Sequence, residues 1–228
     1  MKSIKIYALA LGLLAVFAGC QNDVVKPLEN DKEAPAPVRD VTYTKMSGSV
    51  LLTYTLPSDP DLLYVAASYT NKAGKKYEFK ASYFTNTLLV EGFGDTDTYS
   101  LDVYAVDRSE NYSEPVNIQV AADTPPVQAA YETLEVQPDF GGMTFSFDNA
   151  SKADLTVYVS TPNADNEMVN AETFYTGLAK ATFSVRGFLD VPRDFEICFE
   201  DKWGNRSPVK KENLTPIYEA ELDKKKFK

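Results

Sequence analysis

The feature that most constrains this chain is that it repeats itself. Residues 90–116, VEGFGDTDTYSLDVYAVDRSENYSEPV, align with residues 185–209, VRGFLDVPRDFEICFEDKWGNRSPV. Gly92 and Phe93 match Gly187 and Phe188, 95 residues on; Asp107, Asn111 and Ser113 match Asp201, Asn205 and Ser207, 94 residues on. A period this long is a whole domain rather than a solenoid unit. The 228 residues suffice for two domains of modest size.

Each repeat is a series of short runs in which apolar and polar residues alternate, separated by turn residues. That pattern predicts sandwich strands with one face buried. The first set reads VRDVTYTK, SVLLTYTL, LLYVAASYT, KYEFKAS, NTLLVEG, TYSLDVYAVD and EPVNIQVA. The second reads QAAYETLEV, GMTFSFDN, DLTVYVST, AETFYTG, KATFSVRG, DFEICFED and SPVKKENL. No helix is expected in either. The breaks at DTPP and after Thr215 give sandwiches over 34–122 and 125–215 and a C-terminal tail over 216–228.

The N-terminus, MKSIKIYALALGLLAVFAGC, has lysines at 2 and 5 and an apolar run too short to span a membrane. Phe17, Ala18, Gly19 and Cys20 resemble a bacterial lipoprotein cleavage box, so residues 1–19 read as signal peptide and Cys20 as the lipidation site. Residues 20–33 then form a polar, lipidated tether, and the membrane becomes a partner through the lipid. Cleavage removes two lysines and makes a chain of formal charge −10 more acidic still. Such a chain, with a basic run only at Lys224–Lys226, is no nucleic-acid binder. Cys198 is left without a partner in the mature chain. In FEICFED the alternation turns Phe195, Ile197 and Phe199 inward and puts Cys198 outside between Glu196 and Glu200.

Phe93, then Tyr99, then alternating Leu101, Val103 and Ala105 resemble the E–F corner and F strand of a fibronectin type III module. The resemblance implies that the Tyr99 hydroxyl bonds back to the backbone, and that Phe195, its match without a hydroxyl, holds its corner by packing alone. The expected fold is therefore all-β, with two tandem fibronectin type III/immunoglobulin-like β-sandwiches. LTYTLPSDPDLLYV, DFGGMTFSFDN and the repeated segment also resemble a family of exported lipoproteins of unknown function with two such modules, found beside glycan-uptake systems of gut bacteria. Longer relatives continue into a discoidin-like (F5/8 type C) domain. This chain stops at YEAELDKKKFK, as a truncated product or as a short form that works without that domain. The resemblance implies an outer-membrane lipoprotein at the cell surface, with polysaccharide and outer-membrane glycan-import proteins as partners.

The loop EDKWGNRSPV holds the only tryptophan. Asp201 and Asn205 recur in both repeats and read as turn residues that cap amides, with Gly204 free to take a positive φ. Trp203 is not required by a turn. Its indole can stack on a sugar ring or pack against the neighbouring domain. Trp203 and, in the matching loop, Tyr112 are the candidate glycan-binding residues. Tyr64 and Tyr69 lie on opposite faces of one strand, so one of them belongs to an exposed face.

Enzyme chemistry is poorly served. With no histidine, Ser-His and Cys-His pairs and the usual zinc sites are absent. A glycosidase needs only two carboxylates, but two small sandwiches offer loops rather than a cleft. SDPD (58–61) and GDTD (94–97) carry oxygen ligands without the spacing of a calcium loop; no metal or cofactor is expected. The resulting expectation is a non-catalytic accessory of polysaccharide uptake, a glycan-binding or spacer module. The alternative is a protein-interaction or adhesin module without sugar affinity.

Overall fold

The computed structural model describes residues 32–218. The signal peptide and the lipidation site at Cys20 lie outside these residues. Domain 1 is built from β1 (Arg39–Met46), β2 (Ser49–Thr55), β3 (Leu62–Thr70), β4 (Lys76–Ser82), β5 (Thr87–Glu91), β6 (Tyr99–Asp107) and β7 (Val116–Val120). Domain 2 follows with a helix, α1 (Pro126–Glu132), then β8 (Glu135–Asp139), β9 (Gly142–Asp148), β10 (Leu155–Pro162), β11 (Met168–Thr176), β12 (Lys180–Arg186), β13 (Arg193–Asp201) and β14 (Lys210–Leu214).

The two domains share one topology. A three-stranded sheet, β1-β2-β5, faces a four-stranded sheet, β4-β3-β6-β7; the counterparts are β12-β9-β8 and β11-β10-β13-β14. All strand pairs are antiparallel. This three-on-four order is the fibronectin type III-like sandwich, twice over. Alternation explains the cores, because every second side chain of each strand points between the sheets. In domain 1 Val50, Leu52 and Val90 meet Val65, Ala67, Leu101 and Val103. In domain 2 Met143, Phe145 and Phe147 meet Val157, Val159, Ile197 and Phe199. Phe195, Ile197 and Phe199 are buried, and Cys198 lies on the outer face between Glu196 and Glu200.

Two features depart from the sequence reading. The run QAAYETLEV is not a strand throughout: its first half is α1, and pairing begins only at Glu135. Pro126 sits in the first turn, where its missing N–H costs nothing. Val127, Ala130, Tyr131 and Leu134 have helical spacing and close the end of the second core. The second departure is the tyrosine corner. The Tyr99 hydroxyl donates to the Asp95 carboxylate at 3.0 Å rather than to backbone. A different tyrosine makes the backbone lock: Tyr69, buried on β3, donates to the Glu91 carbonyl at 2.9 Å. In domain 2, Phe195 packs edge-on against Phe188 with ring centroids 5.4 Å apart.

Candidate functional site

Both repeats close one loop, β6–β7 in domain 1 and β13–β14 in domain 2, with the same device. The Asp107 carboxylate accepts the backbone N–H of Asn111 and its side-chain amide, both at 2.8 Å. Asp201 accepts the Trp203 and Asn205 N–H groups and the Asn205 side-chain amide, all at 2.9 Å. Gly204 has φ +84°, the left-handed conformation that favours glycine. The second N–H of each asparagine amide reaches into the segment that precedes its domain. Asn111 donates to the Glu33 carbonyl and Asn205 to the Gly92 carbonyl, each at 3.3 Å.

This geometry places Trp203 at the domain junction. It belongs to the loop of domain 2 but packs on the core of domain 1. Its ring meets Tyr77 and Phe79 edge-on at 5.5 and 5.6 Å, and the Tyr77 hydroxyl donates to the Trp203 carbonyl at 3.4 Å. Gly92 (φ +90°) lies against the indole: a Cβ there would fall 3.1 Å from Trp203 Cδ2. A Cβ on Gly94 would fall 2.5 Å from Asn205 Oδ1. Lys202 pairs with Glu91 at 3.2 Å, and its ammonium lies 5.0 Å from the indole centroid. The chain crossing is clamped as well. Asp123 pairs in parallel with Ser47, Gly48 N–H donates to the Asp123 carbonyl at 3.1 Å, and Ser47 Oγ donates to the Thr124 carbonyl at 2.8 Å.

The junction leaves a cleft of about 590 Å³ on one side. Met46 and Leu89 of domain 1, Pro126 at the crossing and Trp203 wall it, with Glu91, Lys152 and Asp154 among its polar groups. Such an interdomain recess can take a small ligand.

Tyr112 lies elsewhere, at the far end of domain 1. It is 43 % exposed. Its hydroxyl meets that of Tyr64 at 3.2 Å, and its ring stands at 78° to Tyr104, 5.7 Å away. Lys80 donates to the Tyr64 hydroxyl at 3.4 Å and lies 4.7 Å from its ring centroid. The hydrogen bond with Tyr64, aided by burial, pushes the Tyr112 hydroxyl up to about 12. Tyr112 therefore stays a neutral phenol, able to donate and accept. The structure thus brings Tyr112 together with Tyr64, Tyr104 and Lys80, and it keeps Trp203 apart from them. Tyr104 and Lys80 went unnoticed in the sequence; the period-two register linking them to Tyr64 was the available signal.

The acidic loops are internally occupied. Lys72 pairs with Asp95 at 2.6 Å and also with Asp97. Burial pushes the Asp95 carboxyl up, but hydrogen bonds from Lys72, the Asp97 amide and Tyr99 outweigh it and hold its pKa below the usual range. Asp59 accepts the Asp61 N–H at 3.2 Å. Among the described residues, no group of three or more acidic or cysteine side chains could hold a metal ion, and no helix is long and apolar enough to cross a membrane.

Two family models tile the chain along the same division. Residues 35–122 match a domain of unknown function, DUF4959, and residues 123–225 match another, DUF5126. The chain thus matches these two models in tandem, one over each sandwich. Among solved structures the tandem is similar to the SusE-like protein BT2857, at 33 % identity and a TM-score of 0.37. That match covers 41 % of this chain and only 32 % of the SusE-like protein's length. The tandem is also similar to a two-domain fibronectin type III segment of chicken tenascin, at 15 % identity and a TM-score of 0.37, covering 78 % of this chain and 99 % of that one. The FN1–FN3 domains of chicken CNTN1 match at 9 % identity and a TM-score of 0.37, covering 81 % of this chain and 68 % of that one. No curated protein matches the sequence significantly.

Proposed function

We propose that the tandem is a non-catalytic, lipid-anchored accessory of a polysaccharide-uptake system at the outer membrane, a rigid spacer that presents a glycan-binding surface. The observation that carries the spacer role is the interlock of Trp203 and Asn205 with Gly92. A free linker would let the domains swing; here an aromatic plug, an ion pair and a parallel bridge all cross the boundary. Cys20 carries the anchor in this reading, and Tyr112 and the cleft-facing part of Trp203 are the contacts offered to sugar. The family resemblance of the sequence supports the association with glycan import.

One observation favours a second reading, a protein-interaction module. Strand β11 is an open sheet edge with no Lys, Arg or Pro, and it exposes Met168, Val169 and Tyr175. Its counterpart β4 carries lysines, the usual protection of such edges.

Affinity electrophoresis of the full chain against a panel of plant and host polysaccharides separates the two. Retardation that weakens in Tyr112→Ala or Trp203→Ala supports glycan binding. No retardation on any glycan leaves the interaction module.

A further inference from the structure

The four-stranded sheet of domain 1 turns one face to the core and the other to solvent. Across the solvent face the register sets side chains in rows. Lys80, Ala66 and Tyr104 form one row; Glu78, Ser68, Asp102 and Asn117 form the next. The central strand β3 therefore offers only Ala66, Ser68 and Thr70 between taller banks on β4 and on β6 and β7. A depression of about 340 Å³, bounded by Ser68, Thr70, Lys76, Ser100 and Asp102, lies along it. Ala66, 1 % exposed, is covered within its row, and the corner of Tyr64 and Tyr112 lies beyond it along β3.

A second observation points to a ligand. Ser68 is only 5 % exposed, and among the described residues its hydroxyl has no hydrogen-bond partner. No fully enclosed side-chain polar atom of the described residues lacks a partner, so this hydroxyl opens into the trough. A hydroxyl that the protein leaves unpaired on the floor of a depression gives a ligand a directional contact. The banks are pre-set. The Asn117 amide donates to Asp102 at 2.9 Å and to Ser100 at 2.7 Å, and Lys80 pairs with Glu78 at 3.0 Å.

We propose that this trough binds an extended strand of neutral polysaccharide, laid along β3 with one ring against the tyrosine corner. The proposal rests on the glycan-binding reading above and gives it a location. Sugar hydroxyls need donors and acceptors close together, and the trough supplies both: ammonium donors on β4, a carboxylate acceptor on β6, and serine and asparagine groups that do either. Apolar C–H faces of a sugar suit the phenol rings. The banks balance Lys76 and Lys80 against Glu78 and Asp102, and the chain as a whole is strongly acidic, which disfavours a polyanion.

The test uses the full chain, isotope-labelled, titrated with glucomannan, xylan and mannan and, for charge, with polygalacturonate. Amide shifts clustered on Ser68, Asp102 and Tyr104 with one of the neutral glycans are expected; this readout needs no variant to fold. Tyr104→Ala and Asn117→Ala should each weaken binding about fivefold, or ~1 kcal/mol, while Leu189→Ala, at an exposed site in domain 2, leaves it unchanged. Binding that shifts residues elsewhere and survives Tyr104→Ala overturns the trough but keeps the glycan reading. Preference for polygalacturonate overturns the neutral class, and shifts with none of the four overturn both proposals.

Discussion

The Asn205 side-chain amide donates to the Gly92 carbonyl at 3.3 Å across the domain boundary, and the same amide is held by its own Asp201 at 2.9 Å. One residue thus closes a turn within domain 2 and fastens domain 2 to domain 1. Asn111 repeats the arrangement one domain earlier, with Glu33 in place of Gly92. The loop is a fastening that each domain applies to whatever precedes it.

Gly92→Ala should break the fit. A Cβ would fall 3.1 Å from both the indole and the Tyr69 hydroxyl, at φ +90°. The expected cost is about 2 kcal/mol or more, from strain and a displaced indole together. Chemical denaturation followed by tryptophan fluorescence reads it directly, because Trp203 is the sole tryptophan.

Trp203→Ala should loosen the junction without unfolding domain 2, since the indole packs on the core of domain 1 and is not part of the second core. Domain 1 should lose ~2 kcal/mol. Nuclear spin relaxation should show the two domains tumbling with separate correlation times; a single shared time in the variant would contradict the proposed interlock.

Asp201→Ala removes the acceptor of three N–H bonds and should cost ~2–3 kcal/mol. Both the loop and the junction depend on it, so amide exchange should quicken at Trp203 and Asn205 and also at Phe93 across the boundary.

Stability should fall in strong acid through Asp139. The Phe140 amide at 2.8 Å is the main cause that holds its carboxyl at about 2, with Arg186 and Thr144 adding to it. The folded value lies below the unfolded one of about 3.9, so the stabilisation is fully present above pH ~4 and is lost as pH falls through about 2. Equilibrium unfolding between pH 5 and pH 2, in units of roughly half a pH step, should lose part of its slope in Asp139→Asn. An unchanged slope would remove this carboxylate from the acid transition.

Much of the fold was legible in particular residues. FEICFED gave the inward and outward faces of β13 correctly, because period two leaves a half-buried strand no other register. Asp201, Asn205 and Gly204 were readable as a turn because the bonds that close it are local. The helix at Pro126–Glu132 was not legible as a strand-free element: QAAYETLEV is short and ends in strand residues, while Val127, Ala130 and Tyr131 repeat at helical spacing. The Tyr99 lock was misassigned because an acceptor four residues upstream, Asp95, competes with backbone, and sequence does not rank acceptors by geometry. The place of Trp203 had one visible clue, Gly94 standing where its counterpart is Leu189. That difference makes room for Asn205, and the reason is apparent only once the domains are in contact.

The sequence by itself determined two sandwiches, most of their strands and the turns that close them, since those follow from short-range period and from side chains that bond within a few residues. Only the tertiary structure decided that the tryptophan serves the neighbouring domain, that Tyr64, Tyr104 and Tyr112 meet, and that Ser68 faces a trough. Those facts depend on which strands lie side by side and how two separate cores abut: Tyr64 and Tyr112 are 48 positions apart and Tyr77 and Trp203 are 126 apart, distances over which local pattern carries no information.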